Sequence, residues 1–257
     1  MHSPIRADDG QNPVHIEAGD SSFYGQFCPI AMAAELLATR WTLVLLGEML
    51  SGSTRFNDIR RGVPKMSSAL LSKRLRELVA AGVVMRSNGD YILTRAGRDL
   101  APIVLGLGRW ALRWVNSDCS LANLDAKLLM WNMRRNLRPD PLPDRRATIE
   151  FHYPELPDSE ARYWLILVPD EPVDLCSIDP GFEVDLLVTA DLRAMTSAWL
   201  GMSSFENELR ARRIQLDGDR RLSATFTQWI GRTKLSKANQ NRLDLPCHTP
   251  APDGRSV

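Results

Sequence analysis

Residues 55–94 read RFNDIRRGVPKMSSALLSKRLRELVAAGVVMRSNGDYILT, and this stretch decides the fold. Ser67 suits a helix N-cap, and Gly82 suits the stop about four turns later. Between them Leu71, Leu75, Leu78 and Val79 fall on one side of a 3.6-residue repeat, which leaves Ser68, Ala69, Ser72, Lys73 and Arg76 on the other. The preceding residues 55–64 form one brief helix, ended by Gly62 and Pro64. The following runs VVMRS and YILT are strand-like and are joined by Asn88-Gly89-Asp90. An Asn-Gly pair between such runs is the strongest short-range hairpin signal, and the turn is read as three residues long.

Working outward, CPIAMAAELLA places Pro29 in the first turn of a helix with Ile30, Ala33, Ala34 and Leu37 at helical spacing. TRWTLVLLGEMLSG follows as a second helix, with Thr39 as its N-cap and Gly52 as its end. On the far side, residues 94–116 read as one long helix with an apolar face, bent around Pro102. Helix, helix, short helix, turn, helix, hairpin, helix is the plan of a winged helix-turn-helix, assigned to residues 23–117.

Residues 118–145 read as a helical linker ending in the Pro-rich run from Pro139 to Pro143. Beyond it the pattern becomes strand-like. ATIEFHY, ARYWLILVP, VDLCSID and FEVDLLVTA precede two helices, DLRAMTSAWLG and SSFENELRARR, and two further strand-like runs, RIQLDGDRR and LSATFT. The fold class is therefore multidomain α+β: a mainly helical winged domain followed by an α+β domain over residues 146–243. Residues 1–22 and 244–257, rich in Pro, Gly and polar side chains, are expected to be disordered.

The 257 residues carry 32 Lys and Arg against 31 Asp and Glu, a formal net charge of +1. That near-zero total argues against a polyanionic partner, but its layout argues the opposite. Residues 51–100 hold 10 basic and 4 acidic side chains, whereas residues 151–200 hold 2 and 10. A basic module is joined to an acidic one. Cys28, Cys119, Cys176 and Cys247 are widely spaced with no CxxC pair, so neither a disulfide framework nor a zinc site is expected. No apolar run reaches the length of a membrane span, and MHSPIRADDG lacks the apolar core of a signal peptide. A cytoplasmic protein with no membrane partner, no metal and no cofactor is expected.

The stretch from Cys28-Pro29 to residue 111 closely resembles the HxlR-type family of bacterial winged-helix transcription regulators, a MarR-like winged helix. The resemblance is carried by Arg40-Trp41-Thr42, Arg55-Phe56-Asn57-Asp58-Ile59, Leu71-Ser72-Lys73-Arg74-Leu75-Arg76-Glu77-Leu78, Ala81-Gly82-Val83-Val84 and Tyr91-x-Leu-Thr-x-Ala-Gly. It implies a cytoplasmic, homodimeric, sequence-specific binder of double-stranded operator DNA. In such a fold the second helix enters the major groove by its N-terminal residues, so Ser68, Ala69, Ser72, Lys73 and Arg76 are candidate base contacts. Ala69 suits a thymine methyl, and Lys73 and Arg76 suit guanine edges or phosphates. Arg55, Arg60, Arg61, Lys65 and Ser67 are candidate phosphate contacts, and Arg86 and Asn88 are candidate wing contacts. A solvated charged face is the plainer explanation of any one of these bases.

Cys28 lies at a helix N-terminus, a setting that favours the thiolate, and the resemblance implies a redox-sensor role found in some family members. A packing role for the same thiol stands beside it. Leu105, Leu107, Trp110, Leu112, Trp114 and Val115 give the long helix an apolar face, which suits a dimer interface or ordinary packing; the family's habit favours the former.

Residues 184–230 resemble the closing part of a sterol-carrier-protein-type domain, on element order and the Asp217-Gly218-Asp219 turn. That resemblance implies an apolar tunnel for a small hydrophobic effector, lined by Leu186, Val188, Leu192, Met195, Trp199, Met202, Phe205, Leu209, Phe226 and Trp229. The same residues would serve any α+β core. Gly106-x-Gly108-x-x-Ala111 lies inside a helical pattern and opens no βαβ unit, so it is no dinucleotide site. His2, His15, His152 and His248 have no ligand spacing, and GxSxG is absent. No enzyme activity is expected; the rival reading is a lipid-carrier or enzyme-like protein whose helix-turn-helix is a scaffold.

Overall fold

The computed structural model describes residues 24–115, 121–138, 142–233 and 235. The expectations for the two chain ends, and for Cys119 and Cys247, lie outside the described residues. The chain divides into two compact units, with the boundary after Gly108.

The first unit opens with α1 (Pro29–Leu37), α2 (Thr42–Leu50), α3 (Phe56–Gly62) and α4 (Ser68–Ala80). The hairpin β1 (Val84–Ser87) and β2 (Asp90–Leu93) follows, then α5 (Arg95–Asp99) and α6 (Ala101–Trp114), the unit boundary falling inside α6. Leu45 and Leu46 of α2, Ile59 of α3 and Leu71, Leu75 and Leu78 of α4 are fully buried in one core with Val63, Met66, Val83 and Val84. Val79, expected on that inner face, is 36% exposed. Each helical residue turns the side chain by about 100°, so Leu78 occupies the inward position and its neighbour points away.

Three local details differ from the expectation. Thr39 does not cap α2. Its hydroxyl donates to the Glu35 carbonyl, and Trp41 takes the N-cap position at φ +80° without a side-chain cap. That left-handed conformation is costly for a bulky residue, and Trp41 holds it while packing on the core, with the Arg40 guanidinium 5.7 Å from its ring centroid. The hairpin turn is two residues, not three: Ser87 pairs with Asp90, and Asn88 and Gly89 both have positive φ, the requirement of a type I′ turn. The long helix to Asn116 is two helices with Leu100 between them, and Pro102 sits in the first turn of α6, where its missing N–H costs nothing.

The second unit contains α7 (Ala126–Met133), β3 (Ala147–His152), β4 (Arg162–Leu167), β5 (Asp174–Cys176), β6 (Leu186–Ala190), α8 (Leu192–Leu200), α9 (Phe205–Arg210), β7 (Ile214–Gly218), α10 (Arg220–Ala224) and α11 (Phe226–Trp229). The strands form one sheet in the order β5-β4-β3-β6-β7, in which β3 and β6 are parallel and every other pairing is antiparallel. Ala147, Ile149 and Phe151 alternate onto the core face beside Tyr163, Leu165 and Leu167 and beside Leu186, Val188 and Ala190. The α+β class is as expected. The run LSATFT is helical rather than extended, because the Asp219 carboxylate accepts from the backbone N–H groups of Arg221 and Leu222 and starts α10. The expected linker also contributes to the fold: Leu129, Met130 and Met133 of α7 are core residues of this unit.

Candidate nucleic-acid interface

The turn between α3 and α4 sets the geometry of α4, the candidate reading helix. Val63 and Met66 are buried and anchor it from below, while Ser67 caps α4 by accepting from the Leu70 N–H at 3.3 Å. With Leu71, Leu75 and Leu78 fixed inward, Ser68, Ala69, Lys73 and Arg76 are exposed and Ser72 is half-buried, all on the opposite side of α4. Small residues occupy its first turn, and the long cations begin one turn later. A groove-binding helix needs that taper, because its N-terminal end must approach base edges closely.

The flanking cations fall into two groups. Arg60 of α3 reaches the Ser68 hydroxyl at 3.4 Å, joining the two helices at the start of the reading face. Arg61 pairs with Asp58 at 3.4 Å, and Arg55 and Lys65 are exposed at the start of α3 and in the turn. Glu77 pairs with Lys73 at 3.9 Å and Arg74 at 2.5 Å. Lys73 remains largely exposed, whereas Arg74 is folded back against the protein. In the wing Arg86 stands directly across from Tyr91, its guanidinium 5.8 Å from the ring centroid, and Asn88 is exposed at the tip. The Tyr91 N–H donates to the Thr54 carbonyl at 2.8 Å and ties the wing to the segment before α3. Arg95, exposed at the first position of α5, belongs to the same basic block and occupies an unspecified position of the Tyr91-x-Leu-Thr-x-Ala-Gly pattern, so the pattern does not mark it.

Cys28 occupies the N-cap position of α1 as a half-buried free thiol. Along α6, Ile103, Leu107, Trp110 and Trp114 recur at spacings of four, three and four and are all exposed, so they form one apolar stripe. Val115 is also exposed, Leu105 is half-buried and Leu112 is buried. No single helix among the described residues is long and apolar enough to cross a membrane.

The ten residues read as a tunnel lining are divided by the structure. Leu186, Val188, Leu192, Met195, Trp199, Phe205, Phe226 and Trp229 are buried together in the second core, and Leu209 lies at its margin. Phe226 meets Phe205 and Trp229 edge-on at centroid separations of 5.7 and 5.1 Å, and the Trp229 indole N–H donates to the Leu222 carbonyl at 2.9 Å. Met202 alone of the ten lines an open cleft of mixed polar and apolar lining.

A reading helix with small residues leading and cations behind, seated beside a type I′ hairpin wing, defines a winged helix-turn-helix DNA-binding protein. The HxlR-like helix-turn-helix family matches over residues 36–119. The HTH-type transcriptional regulator YvaP of Bacillus subtilis (strain 168) is 35% identical over 99 residues, 35% of this chain and 92% of that protein. The chain belongs to the HxlR-like helix-turn-helix family, and transcription regulation comes with that membership. Of solved structures, the redox regulator HypR in its oxidized form is 35% identical over 33% of this chain and 94% of that one, at a TM-score of 0.31. Sterol Carrier Protein 2 Like 2 from Aedes aegypti is 13% identical over 51% of this chain and 96% of that one, at a TM-score of 0.25.

Proposed function

We propose that the protein is a homodimeric, sequence-specific regulator that reads an operator with α4 and steadies itself with the wing. The observation that carries this reading is the α4 face on which Ser68, Ala69, Ser72, Lys73 and Arg76 stand clear of a core that fixes the opposite face. Arg55, Arg60, Arg61, Lys65 and Ser67 are the phosphate contacts that set register, and Arg86 and Asn88 extend the footprint beyond the major groove. The apolar stripe on α6 supports the dimer, since a two-fold arrangement gives two reading helices one set of half-sites.

Modulation belongs to the same proposal. Cys28, half-buried at the start of α1, is one candidate input, and the α+β domain is the other. The sterol-carrier-like reading of that domain rests on its sequence pattern; the packing of its Phe and Trp residues favours a filled core at those positions.

The test is titration of the purified protein against DNA from its own upstream region across a range of salt. A specific site should bind at least 10³-fold more tightly than scrambled DNA, with a steep salt dependence from several phosphate contacts. Equal affinity for both DNAs overturns the proposal.

A further inference from the structure

The cleft beside Met202 lies in the second unit, where residues of α8, the turn after it, α9 and the residue before β7 surround a cavity of about 330 Å³. Glu208 is almost fully buried there. It accepts from the Ser203 hydroxyl and, at 2.6 Å, from Nε of Arg213. Burial alone would raise the Glu208 pKa, but the hydrogen bonds from Arg213 and Ser203 and the Arg213 charge prevail and lower it, so the carboxylate is held ionised. The guanidinium is therefore gripped by one nitrogen. Among the described residues, nothing takes the two terminal nitrogens of Arg213, whose side chain is about half exposed.

The remaining groups limit what those nitrogens can receive. Arg193 adds a second cation and is steadied by the Leu121 carbonyl at 3.1 Å, while Asp191 is committed to capping α8 through the Ala194 N–H. Two cations and two carboxylates line the cleft, and the Asp191 charge also acts on Arg213, so the cleft has no net positive charge with which to offset a dianion. A monoanion needs only the pre-positioned donors. A planar carboxylate fits an arginine fork better than a point charge does, and Leu121, Ala194 and Met202 offer an apolar wall to a hydrocarbon body. The volume lies at the small end of the roughly 300–1,000 Å³ range of ligand pockets.

We propose that this cleft binds a small monocarboxylate, with the carboxylate on the terminal nitrogens of Arg213 and the body against Met202 and Ala194. The site rests on its own geometry. Its regulatory meaning rests on the proposed function, because an effector alters DNA affinity only if it binds the free and DNA-bound states differently.

The test is isothermal titration of the full chain, without DNA, using benzoate, phenylacetate and hexanoate, with benzamide and inorganic phosphate as controls. At least one carboxylate should bind saturably, benzamide should not bind, and phosphate should bind more weakly. Arg213→Lys, which keeps the charge beside Glu208 but removes the fork, should weaken binding about tenfold or more. Ser197→Phe, which fills the cleft from its wall and leaves the Glu208–Arg213 pair intact, should abolish it. Melting curves check that both variants fold. The proposal is overturned if none of the three carboxylates binds saturably, if phosphate binds as tightly, or if both folded variants bind like the parent. Because DNA is absent, such a failure leaves the operator-binding reading standing.

Discussion

Gly97 in α5 lies so close to the backbone of Val83 that a Cβ built on it would stand 2.3 Å from the Val83 carbonyl oxygen. That carbonyl also accepts from the Thr94 N–H at 3.1 Å, and the Thr94 hydroxyl donates to the Gly82 carbonyl at 2.7 Å. The end of the wing, the start of α5 and the stop of α4 are thus joined through a contact that only glycine permits. Replacing a helical glycine with alanine ordinarily stabilises by up to about 1 kcal/mol. Here the methyl would meet backbone, so Gly97→Ala is expected to destabilise the first unit by about 1–3 kcal/mol. Chemical denaturation followed by far-ultraviolet circular dichroism, together with the fluorescence change of Trp41, the tryptophan of the first unit, checks this, and a neutral or stabilised variant would disprove the close packing.

The two leading cations of α4 are separable by the kind of contact each makes. If Arg76 reads a guanine edge, Arg76→Ala loses about 1–3 kcal/mol on the specific site and little on scrambled DNA. If Lys73 meets a phosphate, Lys73→Ala weakens both DNAs alike and lowers the salt slope by about one. Titrations of each variant on both DNAs at several salt concentrations assign the roles. Unchanged binding by both variants would remove α4 from the interface.

Most of the first unit was legible because its signals are local. Ser67 and Gly82 bound α4 through caps, and Asn88-Gly89 encodes its own turn type. The glycine of the Tyr91-x-Leu-Thr-x-Ala-Gly pattern is required by the Val83 contact, a tertiary constraint that leaves a local mark. What was misread depends on tertiary context. Trp41 adopts a left-handed conformation that propensity disfavours and core packing compensates. LSATFT carries strand-like residues, yet the Asp219 cap and the burial of Leu222 and Phe226 make it helical. A residue list does not separate a tunnel wall from a filled core either, since both need Leu, Met, Phe and Trp. The cleft beside Met202 mixes polar and apolar groups, and Glu208, Ser203 and Arg213 meet there through a fold that no spacing announces.

The exposed stripe on α6 predicts a change in mass. Trp110 is 57% exposed and lies between Leu107 and Trp114, so in the proposed dimer a charge placed there would face the same residues of a second copy. Trp110→Glu is expected to convert a dimer of twice 28.9 kDa to a single chain of that mass without loss of helix content. Sedimentation velocity together with circular dichroism reads both quantities. A variant that sediments like the parent would place the dimer contact elsewhere.

Acid should act on the second unit through Glu208. Its folded-state pKa lies below the ordinary value of 4.5, so protonating it costs more in the folded chain than in the unfolded one. The stability it contributes is complete above the unfolded value and is lost as pH falls through the lower folded value. Arg213 is charged throughout this range, so the loss reports the carboxylate. At neutral pH Glu208→Gln should cost about 1–3 kcal/mol, because the amide keeps the shape but offers a weaker acceptor to Arg213 and Ser203. Between pH 6 and 3 the parent should therefore lose melting temperature more steeply than Glu208→Gln, and the two curves should converge at the acid end. Parallel curves over that range would show that the pair does not hold the turn between α9 and β7 in place.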